Sequence, residues 1–230
     1  MHSPASSLTK HPVESMATAT PHVRKAAATE QLDNAELTAL QVNPRNGAKS
    51  IPFRRPIRAR LGRPETLALR CPFGAPKSFD PTKTDRVSFS VSVGPESDEA
   101  RYAARLDEKA KSLLKARLPE FMERATPAQV DENWKPVLKE ARSAEYNPTI
   151  AVKVQMTGAR PCRLWIKKEL EEKRRATVEE VDWTTAKVNM VCEARSVWLQ
   201  PRMYGVSIEA RDIIVYPEDD SCPTDDSDSD

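Results

Sequence analysis

Two strand-forming runs near the C-terminus, KVNMVCEARSVWLQ (187–200) and YGVSIEARDIIVY (204–216), are separated only by the short connection Gln200–Met203. Runs this rich in Val, Ile and aromatic residues read as long strands, and so short a link makes them an antiparallel pair. The link and its flanks, SVWLQPRMYGVSIEA (196–210), hold Trp198 and Tyr204 on either side of a basic turn that contains Arg202. Such a stretch is either a hairpin whose aromatics fill a core or a platform on which nucleobases stack.

The rest of the chain supplies partners for that ribbon. RVSFSVSV (86–93) alternates strictly, with Val87, Phe89, Val91 and Val93 on one face and Arg86, Ser88, Ser90 and Ser92 on the other. Gly94-Pro95 stops it, and Ala103, Leu106, Ala110, Leu113, Leu114 and Leu118 then recur at helical spacing, predicting a helix over 97–117 capped by Ser97 or Asp98. A second helical piece runs from Pro119 towards Trp134 and breaks at Thr126-Pro127. TLALRC (66–71) reads as a strand, and TIAVKVQM (149–156) with CRLWIKK (162–168) as a hairpin about Gly158. Thr177 and Glu180 fit a capping box within the charged stretch 169–183, and Trp183 and Phe89 read as packing residues. About six strands with an inserted helical region, and no βαβ rhythm, predict a mainly β fold: an antiparallel sheet or barrel with inserted helices.

Charge is unevenly distributed. The formal net charge is +2, but Glu218, Asp219, Asp220, Asp225, Asp226, Asp228 and Asp230 form a terminal run of acids without a base. Upstream, Arg45, Lys49, Arg54, Arg55, Arg58, Arg60 and Arg63 fall in a stretch without an acid. Residues 1–64 are rich in Pro, Ala, Ser and Thr, so the expected organisation is a disordered basic arm (1–64), a folded body (65–216) and a disordered acidic tail (217–230). A short helix at 29–40 is compatible with Leu32, Leu37 and Leu40. The four cysteines, Cys71, Cys162, Cys192 and Cys222, form no CxxC pair and read as reduced thiols of an intracellular protein. No apolar run is long enough to span a bilayer, so no membrane partner is expected.

Several chemistries lack their residues. The only histidines are His2, His11 and His22, all in the arm, so the body has no His base, Ser-His dyad or His-bound metal. No Walker-type glycine loop is present, and Glu171-Glu172 and Glu179-Glu180 sit among bases as ordinary solvated charges. The expectation is a protein that is not an enzyme and uses no cofactor.

What is present is cations interleaved with aromatics, the pairing that single-stranded nucleic acid requires for its phosphates and bases. Trp165 is flanked by Arg163, Lys167 and Lys168; Trp198 and Tyr204 bracket Arg202; Phe53 precedes Arg54 and Arg55. For Trp198 and Tyr204 the sequence does not separate core from binding face. The acidic tail can occupy a basic groove as a mimic of the polyanion until nucleic acid displaces it.

The order of segments adds a resemblance. A strand ending in a Pro-Phe-Gly loop, an alternating strand and an inserted helix lead to a segment carrying Trp134, Pro136, Leu138, Tyr146, Pro148, Thr149, Ile150, Lys153 and Val154. The closing pattern holds Lys187, Val188, Ser196, Val197, Trp198, Leu199, Tyr204, Gly205, Val206 and Ser207. Over residues 66–230 this resembles the OB-fold single-stranded DNA-binding proteins of giant nucleocytoplasmic DNA viruses, themselves similar to those of short-tailed phages. The resemblance implies an OB-like antiparallel β-barrel. It also implies a non-enzymatic role in DNA replication, recombination or repair, single-stranded DNA as ligand, an acidic tail that contacts replication proteins, and often a homodimer. The implied location is the nucleus or a viral replication site. A competing expectation is a structural nuclear or virion protein whose basic arm binds duplex nucleic acid or an acidic partner.

Overall fold

Burial of one face of the C-terminal ribbon organises the whole molecule. The computed structural model describes residues 30–44, 46–62, 68–77, 85–122, 125–168 and 171–217. In chain order the strands are β1 (Gln41–Val42), β2 (Lys49–Leu61), β3 (Leu69–Arg70), β4 (Arg86–Ser92), β5 (Trp134–Lys135), β6 (Leu138–Lys139), β7 (Thr149–Gln155), β8 (Arg163–Ile166), β9 (Arg174–Arg175), β10 (Lys187–Gln200) and β11 (Met203–Tyr216). The helices are α1 (Asp98–Ala116), α2 (Leu118–Phe121) and α3 (Pro127–Asn133).

β10 and β11 pair antiparallel along their full length, from Lys187↔Tyr216 to Gln200↔Met203. One edge of the ribbon takes β2 and, beyond it, β3. The other edge is shared by three short segments that lie parallel to β11: β5 at Tyr204–Gly205, β7 at Glu209–Ala210 and β8 at Asp212–Val215. β4 then pairs antiparallel with β7.

The expected barrel does not form. The pairing path runs β1-β2-β10-β11-β7-β4 and stops, so the sheet is open and mixed rather than closed and antiparallel. Closure requires the terminal strands to meet. Among the described residues β1 pairs only with β2, and the outer edge of β4 has only the Lys77↔Ser88 bridge. The fold remains mainly β with inserted helices. The expected 149–168 hairpin is also absent. β7 and β8 follow one another along β11, linked to each other by the Cys162 N–H donating to the Gln155 carbonyl at 2.7 Å.

Part of the expected disordered basic arm belongs to the sheet. Residues 49–61 are β2, an interior strand. Leu32, Leu37, Ile51, Phe53, Ile57 and Leu61 all lie in the core. The prolines that disguised this strand sit at a bulge. Pro52 faces Ser196 and Ile57 faces Ala194, so four residues of β2 oppose one of β10. Bulges are where a sheet interior tolerates proline. Helical structure at 30–33 is one turn, not a helix to residue 40. Residues 1–29 and the tail acids 218–230 lie outside the described residues.

The helical region forms largely as its spacing predicts. Ser97 caps α1, its Oγ accepting the Ala100 N–H at 3.1 Å. Ala103, Leu106, Ala110 and Leu114 are buried in the core. Thr126 and Gln129 form a capping box on α3. At Thr177 half of the expected box forms without a helix: Glu180 accepts the Thr177 N–H at 3.0 Å in a turn. Trp183 and Phe89 pack together in the core with ring centroids 5.7 Å apart.

One polar side chain ties α1 to the sheet. Buried Asp107 accepts from the Trp134 indole N–H at 2.9 Å and from the Val137 N–H at 2.8 Å. Burial raises its pKa, against the lowering effect of those two bonds and of Lys111. The folded state therefore holds this proton to higher pH than the unfolded chain. The group's contribution to stability is fullest below the unfolded value and declines as pH rises through the folded value. Asp107→Ala orphans two buried donors, each costing about 1–3 kcal/mol. Urea denaturation should show a lower midpoint; an unchanged midpoint would mean that the two donors find other acceptors.

Candidate nucleic-acid interface

Strand register decides which side chains share a face, because directly paired residues point the same way. Arg58, Glu193, Glu209, Lys153 and Ser88 are paired in turn across β2, β10, β11, β7 and β4 and form one row. The next row on that face is Arg60, Val191, Asp212 and Arg163, and beyond it come Asn189, Ile214, Trp165 and Arg175. In the opposite direction lie Pro52, Ser196 and Ser207, then Ser50, Trp198, Gly205 and Lys135. The reverse face carries Ile57, Ala194, Ile208, Ala210, Val152 and Val154 and is the core side.

The outer face is cationic, with carboxylates at its centre. Glu193 and Glu209 oppose each other directly, and both are buried. Like charges in that position repel, and each needs a countercharge. The arginines that supply it come from register shifts. Arg211 is the extra residue of β11 between Ala210 and Asp212, and Arg195 is the extra residue of β10 between Ala194 and Ser196. A bulge re-aims its side chain, and here the two arginines cross over. Arg211 Nε donates to Glu193 at 2.8 Å, and Arg195 donates to Glu209 at 3.4 Å. Arg58 adds a second bond to Glu193 at 3.0 Å, and Arg86 approaches Glu209 to 3.9 Å. Burial pushes Glu193 up, yet Arg211 and Arg58 together outweigh it and hold its carboxyl below its ordinary value. Burial, reinforced by Arg86, lowers Lys153 against the pull of Glu209.

The two indoles stand at opposite ends of this face. Trp165 lies beside Ile214 and Trp198 beside Gly205, a separation of about 30 Å along β11 at strand rise. Trp165 is half-buried. Its indole N–H points to Asp212 at 3.4 Å, and Lys173 and Arg175 sit 5.0 and 4.9 Å from its ring centroid, within cation–π range. Trp198 lies on the backbone of Gly205, where an added Cβ would come within 2.6 Å of Cζ2 of the indole.

The other expected site residues are dispersed. Tyr204 belongs to the core face, paired with Leu199 and buried, so it is a packing residue. Arg163 is exposed and bound to Asp212 at 2.6 Å. Lys167 and Lys168 follow the end of β8, where the Lys167 N–H donates to the Val215 carbonyl at 2.9 Å. Arg54 and Arg55 occupy the proline bulge of β2, Arg54 pairing with Glu36 at 3.1 Å. Arg202 is exposed at the ribbon tip and adopts φ 61°, a left-handed conformation, after Pro201. That order fits a type II turn, in which glycine or asparagine normally takes the Arg202 position.

The sequence reading missed the central network of Arg58, Arg195, Arg211, Glu193, Glu209 and Asp212. Its signal was the repeated tripeptide Glu-Ala-Arg, at 193–195 and again at 209–211. No cluster of metal-ligating side chains occurs among the described residues. Burial, reinforced by Asp212, pushes the Cys162 thiol up to about 12, and burial alone does the same to Cys71, values that suit neither a nucleophile nor a metal ligand at neutral pH.

No family model and no curated protein matches the chain. Among solved structures it is similar to the single-stranded DNA-binding protein from bacteriophage Enc34, with TM-score 0.46 and 10% identity over 85% of this chain and 96% of that one. A C-terminally truncated form of that protein gives TM-score 0.44 at 10% identity, over 81% and 97% of the two chains. Its complex with single-stranded DNA gives 0.42 at 10% identity, over 79% and 96%. Similarity of this degree assigns no function.

The glycine beneath Trp198 gives a direct test of the ring's placement. Gly205→Ala must lift the indole or shift the Lys135 carbonyl, which lies 3.0 Å from the added atom. A loss of about 1–3 kcal/mol is expected from overpacking. Thermal unfolding and tryptophan emission, compared with a Trp198→Phe background, would show it; a neutral substitution would place the ring elsewhere.

Proposed function

We propose that this chain binds single-stranded nucleic acid across the outer face of its open sheet, without catalysing a reaction. The observation that carries this reading is the arrangement of cations from five strands on one face, Arg58, Arg60, Lys153, Arg163, Arg195 and Arg211 among them, between two half-buried indoles. Cations that follow phosphates and rings that stack on bases are the two requirements of such binding. The acids at the centre of the face are already engaged by arginines, and of these Arg58, 70% exposed, keeps N–H groups open to phosphate oxygens. Within this reading the ligand is DNA exposed during replication, recombination or repair. The acidic residues beyond Pro217 then act as a polyanion that competes for the same face and contacts partner proteins.

Fluorescence anisotropy with labelled oligo-dT, competed by duplex DNA and by RNA at two salt concentrations, tests the proposal. Single strands should compete best; equal competition by duplex would overturn it. Trp165→Ala should weaken binding by about 1–3 kcal/mol, the contribution of one stacked base, with unchanged circular dichroism. Replacing exposed Arg60 and Lys173 by Gln should flatten the dependence of log K on log salt by about 1.4, at about 0.7 per phosphate contact on single strands. Deleting residues 218–230 should tighten binding at low salt. Deleting residues 1–29 leaves β2 and its arginines in place and should preserve the single-strand preference. Loss of binding on that deletion would place the affinity in the N-terminal segment instead.

A further inference from the structure

Beside the central carboxylates the outer face is not flat. Arg58, Arg160, Arg163 and Arg211 converge with Glu193, Asp212, Pro161 and Val191 around a single pocket of about 300 Å³. Its charged lining is four guanidinium groups against two carboxylates. Each carboxylate is spent within the wall: Glu193 on Arg58 and Arg211, Asp212 on Arg163 and, more weakly, the Trp165 indole. The pocket therefore presents an excess of two positive charges.

Arg58, Arg163 and Arg211 are held in place by the carboxylates of the wall. Arg211 is fixed by Nε on Glu193 and by Nη1 on the Arg160 carbonyl at 3.3 Å. Its Nη2 is buried without a hydrogen-bond partner among protein atoms, 3.8 Å from a carboxylate oxygen of Glu209. Arg58 and Arg163 are each anchored through one nitrogen and keep more than half of the side chain exposed. The Arg211 Nη2 is enclosed and does not face the pocket; the N–H groups open to a ligand are those of Arg58, Arg160 and Arg163, whose side chains are exposed.

We propose that this pocket binds a terminal phosphomonoester, so that the protein recognises the phosphorylated end of a nucleic-acid strand as well as its length. This rests on the nucleic-acid reading above and adds a specific site to it. Charge separates an end from an internal link. A phosphomonoester carries close to two negative charges at neutral pH and matches the lining, whereas an internal phosphodiester carries one. Three peripheral oxygens of the monoester can accept from Arg58, Arg160 and Arg163 together, with forked guanidinium geometry favouring that oxyanion. Pro161 and Val191 close the pocket with groups that offer no side-chain donor and no charge.

The experiment compares oligo-dT of one length bearing a 5′-phosphate, a 3′-phosphate or hydroxyls at both ends, with the full chain at pH 7.5. One phosphorylated form should bind at least fivefold tighter than the hydroxyl form, and which one reports the polarity of the bound strand. Lowering the pH to 5.5, below the second ionisation of the monoester, should shrink that preference. Arg160→Gln changes an exposed side chain and should abolish the preference, costing the phosphorylated form at least fivefold more affinity than the hydroxyl form. Equal affinity for all three forms overturns the pocket assignment and leaves the face intact. If no oligonucleotide binds, the nucleic-acid reading fails, and calorimetry with inorganic phosphate, which carries close to two charges at this pH, then decides the pocket alone. Binding that Arg160→Gln removes supports it, and binding that is absent or unaffected overturns it.

Discussion

Two carboxylates face each other at the centre of this sheet, and much of the molecule answers to that repulsion. Glu193 and Glu209 are directly paired on adjacent strands and largely shielded from water. Left alone they would drive β10 and β11 apart. Instead each is met by the arginine of the other strand's Glu-Ala-Arg tripeptide, and each arginine reaches across because it is the extra residue of a bulge. Bulge, charge pairing and register thus depend on one another. A ribbon without the bulges would leave both arginines out of register, and without the arginines it would bury an uncompensated pair.

The second organising feature is the undivided edge of β11. One long strand accepts β5, β7 and β8 in succession, over two, two and four residues. β5 and β8 are short and are held by the hydrogen bonds of β11, whereas β7 runs for seven residues and also pairs along its whole length with β4. This arrangement brings Lys153, Arg163 and Trp165, from segments well apart in sequence, onto the same outer face as Arg195 and Arg211. The face is assembled by the ribbon, and the open path of the sheet leaves it accessible across several strands.

Much of this was legible in the sequence where local patterns are strong. The ribbon, the alternation of 86–92, the cap at Ser97 and the helix after it all follow from periodicity and capping chemistry. The failures have physical causes. Residues 49–61 read as a solvated arm because Pro52, Pro56 and five cations interrupt their apolar spacing; only the bulge opposite Arg195 shows how Ile51, Phe53, Ile57 and Leu61 still reach the core. The hairpin expected at Gly158 failed because a long partner edge outcompeted local pairing. Barrel closure depends on whether remote strands meet, which no local pattern encodes. At the site, Trp165 and Trp198 were distinguishable from Tyr204 only once register was known, since a shift of one residue exchanges the two faces.

The position of β2 in the chain has a consequence for how the protein is made. Arg58 meets Glu193 135 positions later, so β2 emerges from the ribosome long before the ribbon that receives it. At synthesis rates of about 5–20 residues per second that interval is on the order of ten seconds. Throughout it the edge of β2 that β10 will cover has no partner. Two prolines and a density of like charges are what keep such a segment from pairing prematurely with a neighbour. The features that made it look unfoldable are those that let it wait.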